Sequence, residues 1–374
     1  MKKEYYAVAT MIGMIVGAGM LGIPYTFVKS GIFYGILNLL VIGFFVTMIN
    51  LQLGEIILRT KGKHQLTGYA EKYLGRWGKE LMMFAMIVGV YGAMIAYLIG
   101  SGETVASFFG GNPLFYAVIY FLIFSSLIYF GIKTVSRTEF FFMFARLGIF
   151  LAILISLAVF IRPENFVHKS FSLSGSFFPF GVVLFSLLGM SSIPEAREVL
   201  EKDAKKFKKV ILLGSIIPII TYLLFSVFFV LAFGTNINEV ATITLKSAGI
   251  FIFVIGSCFA LIGMTTAYLA NGVALQEMYN YDYRINRKLS FIFTCIVPLL
   301  IILLGVKSFI KTIGIAGAVS GGISAVLVML MFYKAKKTGD RTPEYSLGKS
   351  RILSATAAVI FILGIAFEII SSFS

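Results

Sequence analysis

Residues 15–25 read IVGAGMLGIPY, from Ile15 to Tyr25. They lie in an apolar stretch running from about residue 5 to residue 28. Its length suits a membrane-crossing helix, yet three glycines and a proline interrupt it. Both residue types weaken a helix interior. In lipid, a backbone group freed from its helix meets no water. Such an interruption is tolerated only where it is buried in protein or lines a polar cavity. The stretch therefore predicts a broken helix with a task beyond anchoring.

The rest of the chain supports a membrane setting. The 374 residues are 59% hydrophobic and 13% charged, and mean hydropathy is +0.94. Apolar runs of roughly 18 residues or more recur, as transmembrane helices require. Alternating segments of about ten residues are absent, which argues against an outer-membrane barrel. Eleven spans are expected, at about 5–28, 32–58, 79–107, 113–131, 138–161, 177–200, 209–234, 248–278, 289–306, 309–333 and 352–371. No segment suggests a separate soluble domain, so residues 1–374 read as one transmembrane domain. The N-terminal MKKEYY leads into span 1 without a small-residue cleavage site, and span 1 is expected to be retained. Cys258 and Cys295 fall in apolar runs and read as small buried hydrophobes.

The net charge is +15. Such a charge could indicate nucleic acid, but the basic residues are spread over short loops. With the N-terminus inside, 25 lysines and arginines fall on cytoplasmic segments, six fall on external ones, and Arg146 lies within span 5. That asymmetry predicts a cytoplasmic N-terminus and an extracytoplasmic C-terminus in the cell membrane. It leaves no nucleic-acid-binding surface.

A repeat is hidden in the chain. GMLGIP at Gly19–Pro24 and GMSSIP at Gly189–Pro194 share G-M-x-x-I-P at an offset of 170 residues. The same offset carries spans 2 to 5 onto spans 7 to 10. An odd number of spans per copy forces the copies into opposite orientations, as in the inverted repeats of secondary transporters. The expected fold is an all-α polytopic membrane protein with 11 helices. It has a 5+5 inverted repeat, about 5–161 and 177–333, with helices 1 and 6 discontinuous near 16–20 and 186–192. Residues 352–371 form an additional helix 11.

GMIVGAGMLGIPYTFVKSG in span 1 and FSLLGMSSIPE in span 6 resemble the amino acid/auxin permease family, within the amino acid–polyamine–organocation transporters. The resemblance covers nearly the whole chain. It implies the inverted repeat of the bacterial leucine transporter and a substrate held by its α-amino and α-carboxylate groups at the two breaks. The matching positions are Val16, Gly17, Ala18, Gly19 and Met20 in span 1, and Phe185, Ser186, Leu188, Gly189 and Ser191 in span 6. Tyr97 on span 3 joins them, because span 3 lines the pocket in such relatives. The physics agrees. Amides at a half-helix start attract a carboxylate, and carbonyls accept from an ammonium. Glycines there permit close approach, although the same glycines also serve tight helix packing. Gly19→Val is expected to block binding and to leave expression near normal.

The resemblance also implies a cation site formed by the Gly13 and Val16 carbonyls with the Thr265 and Thr266 hydroxyls, occupied by sodium or by a surrogate. Hydroxyls bonding back into their own helix are the alternative. Arg146 is the candidate surrogate, since a charge at that depth is costly unless paired; snorkelling to the interface is its alternative. Glu195 and Arg197 read either as a gate or as a solvated helix end. Glu55, Glu103, Glu277 and Glu368 read as interfacial. No cofactor or firm metal site is expected, only a coupling ion, H+ or Na+. The expected function is secondary active symport of neutral amino acids by alternating access, with lipid and a small amino acid as partners and a monomeric state. The alternative is a membrane amino acid sensor, which the short segment before span 1 disfavours. No nucleophile–base pair or carboxylate pair suggests an enzyme.

Overall fold

A computed structural model describes residues 3–130, 148–201, 203–281, 284–348 and 350–373. Among these residues there are helices and connecting segments, and no strand. Arg146 and the start of span 5 lie outside the described residues.

The opening stretch breaks as its composition requires. Helix α1 (Lys3–Ile15) stops, a 3-10 turn follows at Ala18–Gly22, and α2 (Ile23–Ser30) continues at a bend of 48°. Pro24 stands in the first turn of α2, where its missing N–H costs nothing. Helix α3 (Ile32–Arg59) crosses back, and short α4 (Leu66–Leu74) leads to α5 (Arg76–Phe109), α6 (Pro113–Phe130) and α7 (Gly148–Ala158). The second broken element comprises α8 (Leu173–Phe177), α9 (Phe180–Leu187) and α10 (Ser192–Leu200). Then come α11 (Phe207–Phe233), α12 (Ile250–Tyr281), α13 (Arg287–Phe291), α14 (Val297–Leu303), α15 (Phe309–Ala316), α16 (Gly322–Thr338) and α17 (Arg351–Phe373). Single π-turns join α13 to α14 and α15 to α16.

Among the described residues, seven helical stretches are long and apolar enough to cross a membrane, and the bent α1–α2 pair makes eight. The three other expected spans correspond to the shorter α6, α7 and the α13–α14 pair. Exposed aromatic and branched residues such as Phe44, Leu122, Ile155, Val159 and Phe251 suit a lipid-facing surface. Inside, small residues bring backbones together. Gly181 of α9 meets Gly314 and Gly317, and Gly92 of α5 meets Ala316. The α15–α16 element is thus wedged between α5 and α9.

The face that carries the N-terminus and most basic residues is closed by polar contacts. Helix α4 is amphipathic. Leu66, Tyr69, Ala70, Tyr73 and Leu74 are buried at helical spacing, and Tyr73 shares a hydrogen bond with Thr60 at 2.7 Å. Burial raises the Tyr69 phenol to about 12. Glu55 is not interfacial as expected but fully buried, 2.8 Å from Arg59 Nε and 2.9 Å from Lys336 Nζ. It also accepts from the Leu347 amide at 2.6 Å. The chain after α16 is thereby strapped across α3. Tyr345 donates to the Leu51 carbonyl at 2.6 Å, and the Asp340 amide donates to that of Arg59 at 2.8 Å. Asp340 in turn accepts from Lys72 of α4 and from the Lys61 amide.

Removing one partner of a buried ion pair strands the other charge. Glu55→Ala should therefore destabilise the protein by about 3–5 kcal/mol, and adding Lys336→Met should restore part of that loss, read by thermal unfolding in detergent. Asp340 makes a pH prediction. The Lys72 contact, and then the Lys61 amide, hold its carboxyl below the ordinary aspartate value. A depressed folded-state pKa gives stabilisation that is complete above the ordinary value and is lost as pH falls through the lower one. Asp340→Asn should accelerate amide exchange in residues 340–347 at neutral pH and make no difference in strong acid.

Candidate functional site

The two breaks meet. Val16 and Gly17 separate α1 from the 3-10 turn, and Leu188 to Ser191 separate α9 from α10. Gly19 lies directly on Ser186 and Phe185, and Gly189 lies on the Ile15 side chain. Pro194 follows the start of α10 as Pro24 follows the start of α2.

A break frees backbone groups, and each set has a distinct fate here. On the carbonyl side, partners are supplied. The Tyr222 hydroxyl, in the middle of α11, lies 2.6 Å from the Ile15 carbonyl and 2.9 Å from the Ser186 carbonyl. Ser192 donates from its hydroxyl to the Gly189 carbonyl at 2.6 Å and from its amide at 3.0 Å. On the amide side, the Gly17 N–H turns tightly onto Ile15 at 2.8 Å. The amides of Ala18 and Gly19, and those of Gly189, Met190 and Ser191, make no backbone hydrogen bond among the described residues. Both second half-helices thus present unsatisfied donors at their starts, the arrangement that favours an anion. Residues 12–23 and 183–193 carry no charged side chain.

Of the residues singled out from sequence, the structure brings Val16, Gly17, Ala18, Gly19, Met20, Phe185, Ser186, Leu188, Gly189 and Ser191 into or beside the two breaks. Ser186 and Ser191 differ in what their hydroxyls do. Ser186 donates back to Val182 at 2.8 Å, whereas Ser191 caps α10 without a side-chain bond. Tyr97 of α5 is buried in the core. The cavity at the first break measures only about 10 Å³, between Gly17 on one side and Ala260 and Gly263 of α12 on the other. That is room for about one water, so an amino acid requires the breaks to part. A wider cleft of about 410 Å³ lies elsewhere, at the opposite end of the bundle among Asn236, Asn238 and Lys246.

The residues expected around a cation are more dispersed in role. Gly13 is exposed within α1. The Thr265 hydroxyl accepts from Tyr120 at 3.0 Å, and Thr266 bonds back to Ile262 and Gly263 of its own helix. Glu195 is exposed, and Arg197 donates to the Glu201 carbonyl at 2.5 Å. Ion pairs at this end include Lys3 with Glu201, Glu4 with Lys209 at 2.6 Å, and Lys63 with Glu198 at 2.7 Å.

Tyr222 escaped the sequence reading. Its signal was a tyrosine at the midpoint of a run of aliphatic and aromatic residues, IIPIITYLLFSVFF. A buried phenol must find a partner, and freed carbonyls elsewhere in the chain were the natural acceptors.

The glycines now separate into two kinds. A Cβ on Gly19 would stand 2.8 Å from Ser186 Oγ and 3.0 Å from Ser186 Cα, and a backbone atom cannot step aside. The expectation that Gly19→Val leaves expression near normal is therefore corrected, because this position holds the two broken helices together. At Gly17 a Cβ meets nothing closer than 3.9 Å, and its φ of −125° suits any residue. Gly17→Ala should change stability by less than about 1 kcal/mol. Gly19→Val should lower yield and melting temperature markedly, as overpacked positions do. Thermal unfolding of the two variants side by side checks this.

Comparison with known proteins identifies the family. The chain is 25% identical to glutamine transporter 2 of Aliivibrio fischeri over 352 residues, 90% of each chain. It is 23% identical to tyrosine-specific transport system 1 of Haemophilus influenzae over 394 residues, covering 98% of this chain and 95% of that one. An amino acid transporter of Arabidopsis thaliana is 26% identical over 274 residues, 67% of this chain and 62% of that one. The family model that matches spans residues 1–371. At the coarser level the resemblance to amino acid permeases stands, and the family itself is more specific: the chain belongs to the tryptophan/tyrosine permease family, a multi-pass membrane transporter and not an enzyme.

Proposed function

We propose that the protein carries neutral amino acids across the cell membrane by alternating access, as a single transmembrane domain with eleven spans and a five-plus-five inverted repeat. One observation carries this reading. Two helix breaks face each other at mid-depth, with unsatisfied amides at the starts of the second half-helices and freed carbonyls at the ends of the first. Those are the complements of an α-carboxylate and an α-ammonium. With no charge on either break, the side-chain pocket suits a neutral substrate. The relatives named for glutamine and for tyrosine are consistent with that class.

The repeat has further support. Shifted by 170 residues, α1 and α2 fall on 173–185 and 193–200, against α8–α9 ending at Leu187 and α10 running from Ser192 to Leu200. We keep the cytoplasmic N-terminus on the distribution of basic residues, and the monomer as the working unit. For coupling, we favour sodium-independent transport, with Arg146 as the surrogate cation. The engagement of Thr265 with Tyr120 and of Thr266 with its own helix supports that choice.

Counterflow in proteoliposomes with a panel of labelled neutral amino acids tests the reading. At least one should exchange, without sodium, and Gly17→Val should abolish exchange while the protein still folds, since it fills the break and not the helix contact. Exchange that requires sodium would remove the Arg146 proposal. Absence of exchange across the panel would remove the transport reading.

A further inference from the structure

We propose that Tyr222 is a latch whose hydroxyl takes the place of the substrate ammonium when the site is empty. The proposal rests on the amino acid reading of the two breaks and adds a residue and a step to it.

Tyr222 has no solvent exposure and stands about 22 Å along α11 from its start at Phe207, near mid-membrane. Its hydroxyl is within hydrogen-bond reach of one carbonyl from each break, Ile15 at 2.6 Å and Ser186 at 2.9 Å. The Gly17 amide donates to the same Ile15 carbonyl at 2.8 Å. These belong to the groups the site offers to an amino acid. A side chain from a third helix therefore occupies the centre of the site and ties α1 to α9.

Proton counting shows why the arrangement is provisional. A phenol has one proton, so it serves two carbonyls only by sharing it or alternating. A primary ammonium has three protons and a positive charge. It serves both carbonyls at once, through shorter and stronger charge-assisted bonds. Where the two compete for these acceptors, the ammonium wins and the tyrosine withdraws. Where no substrate is present, the tyrosine spares the Ser186 carbonyl from being buried without a donor, which is costly in a low-dielectric interior, and adds a second donor to the Ile15 carbonyl that the Gly17 amide already meets at 2.8 Å. The compact junction, whose cavity measures about 10 Å³, is the arrangement the latch holds together. A carrier must pass through such an empty, closed form to return after delivering its load. It does not need that form when it exchanges one substrate for another.

The test separates these two modes. Wild type and Tyr222→Phe are reconstituted and assayed with L-tyrosine and L-glutamine, then with the wider neutral panel. One assay is counterflow into preloaded vesicles, and the other is uptake into empty ones. In Tyr222→Phe the ratio of uptake into empty vesicles to counterflow should fall by about tenfold or more, because only uptake needs the unloaded return. Binding should tighten about fivefold, the effect of removing one competing hydrogen bond. The des-amino analogue 3-(4-hydroxyphenyl)propanoate, which lacks the competing ammonium, should show no such gain. Tyr222→His retains a ring donor and should recover part of the lost uptake. Equal loss of both modes in Phe and His variants, weaker binding in Tyr222→Phe, or unchanged behaviour in both assays would overturn the latch while leaving the transport reading intact. A wild type that exchanges no amino acid would remove the transport reading, and the latch with it.

Discussion

A polar backbone group at membrane depth must find a partner inside the protein, and the architecture follows from how this chain meets that demand. Unbroken helices meet it internally. The two broken elements cannot. Their carbonyls are met by Tyr222 and Ser192, while several of their amides are left facing the junction. For one tyrosine to reach carbonyls of two helices, those helices must nearly touch. Gly19 and Gly189 make that contact possible, and Gly181, Gly314 and Gly317 hold the next layer at similar range.

Charge is distributed with the same economy. The ion pairs between the start of α1 and the end of α10, and between Lys63 and Glu198, are largely exposed. Exposed pairs contribute about 0–1 kcal/mol each. They add little to what holds α1 and α10 together. Glu55 with Arg59 and Lys336 is buried, carries further hydrogen bonds from the strap, and loses much more if one member is removed. The same face thus carries a weak seam beside α1 and α10 and a strong clasp joining α3 to α16.

Much of this was legible in the sequence because glycine and proline inside an apolar run have few explanations. The interruptions at Val16–Gly17 and Leu188–Ser191 fall where the motif placed them, and most helix ends lie within a few residues of the hydropathy limits. Four things were not legible, for different reasons. Helix α4 was hidden by charge: Lys61, Lys63 and Lys72 made the segment read as loop, although Leu66, Tyr69, Ala70 and Tyr73 carried helical spacing. Glu55 read as interfacial because its partner Lys336 is remote in the chain, and burial of an acid depends on a contact that local pattern does not encode. Tyr222 was one of 18 tyrosines, and only the folded chain shows which of them meets a freed carbonyl. The π-turns at Ile292–Ile296 and Gly317–Gly321 have no sequence signature in the pattern used.

The fit of Gly19 onto Ser186 and Phe185 also constrains how such a chain can drift over generations. Residues 19 and 186 are far apart in sequence but share one small volume. A larger residue at either position is tolerated only if the other has already become smaller or the helix has shifted. Substitutions there should arrive in pairs, and the order of arrival matters: shrinkage at 185 or 186 opens a path to growth at 19, whereas growth first closes the junction. The contact thus acts as an evolutionary ratchet between two segments that lie far apart in the chain.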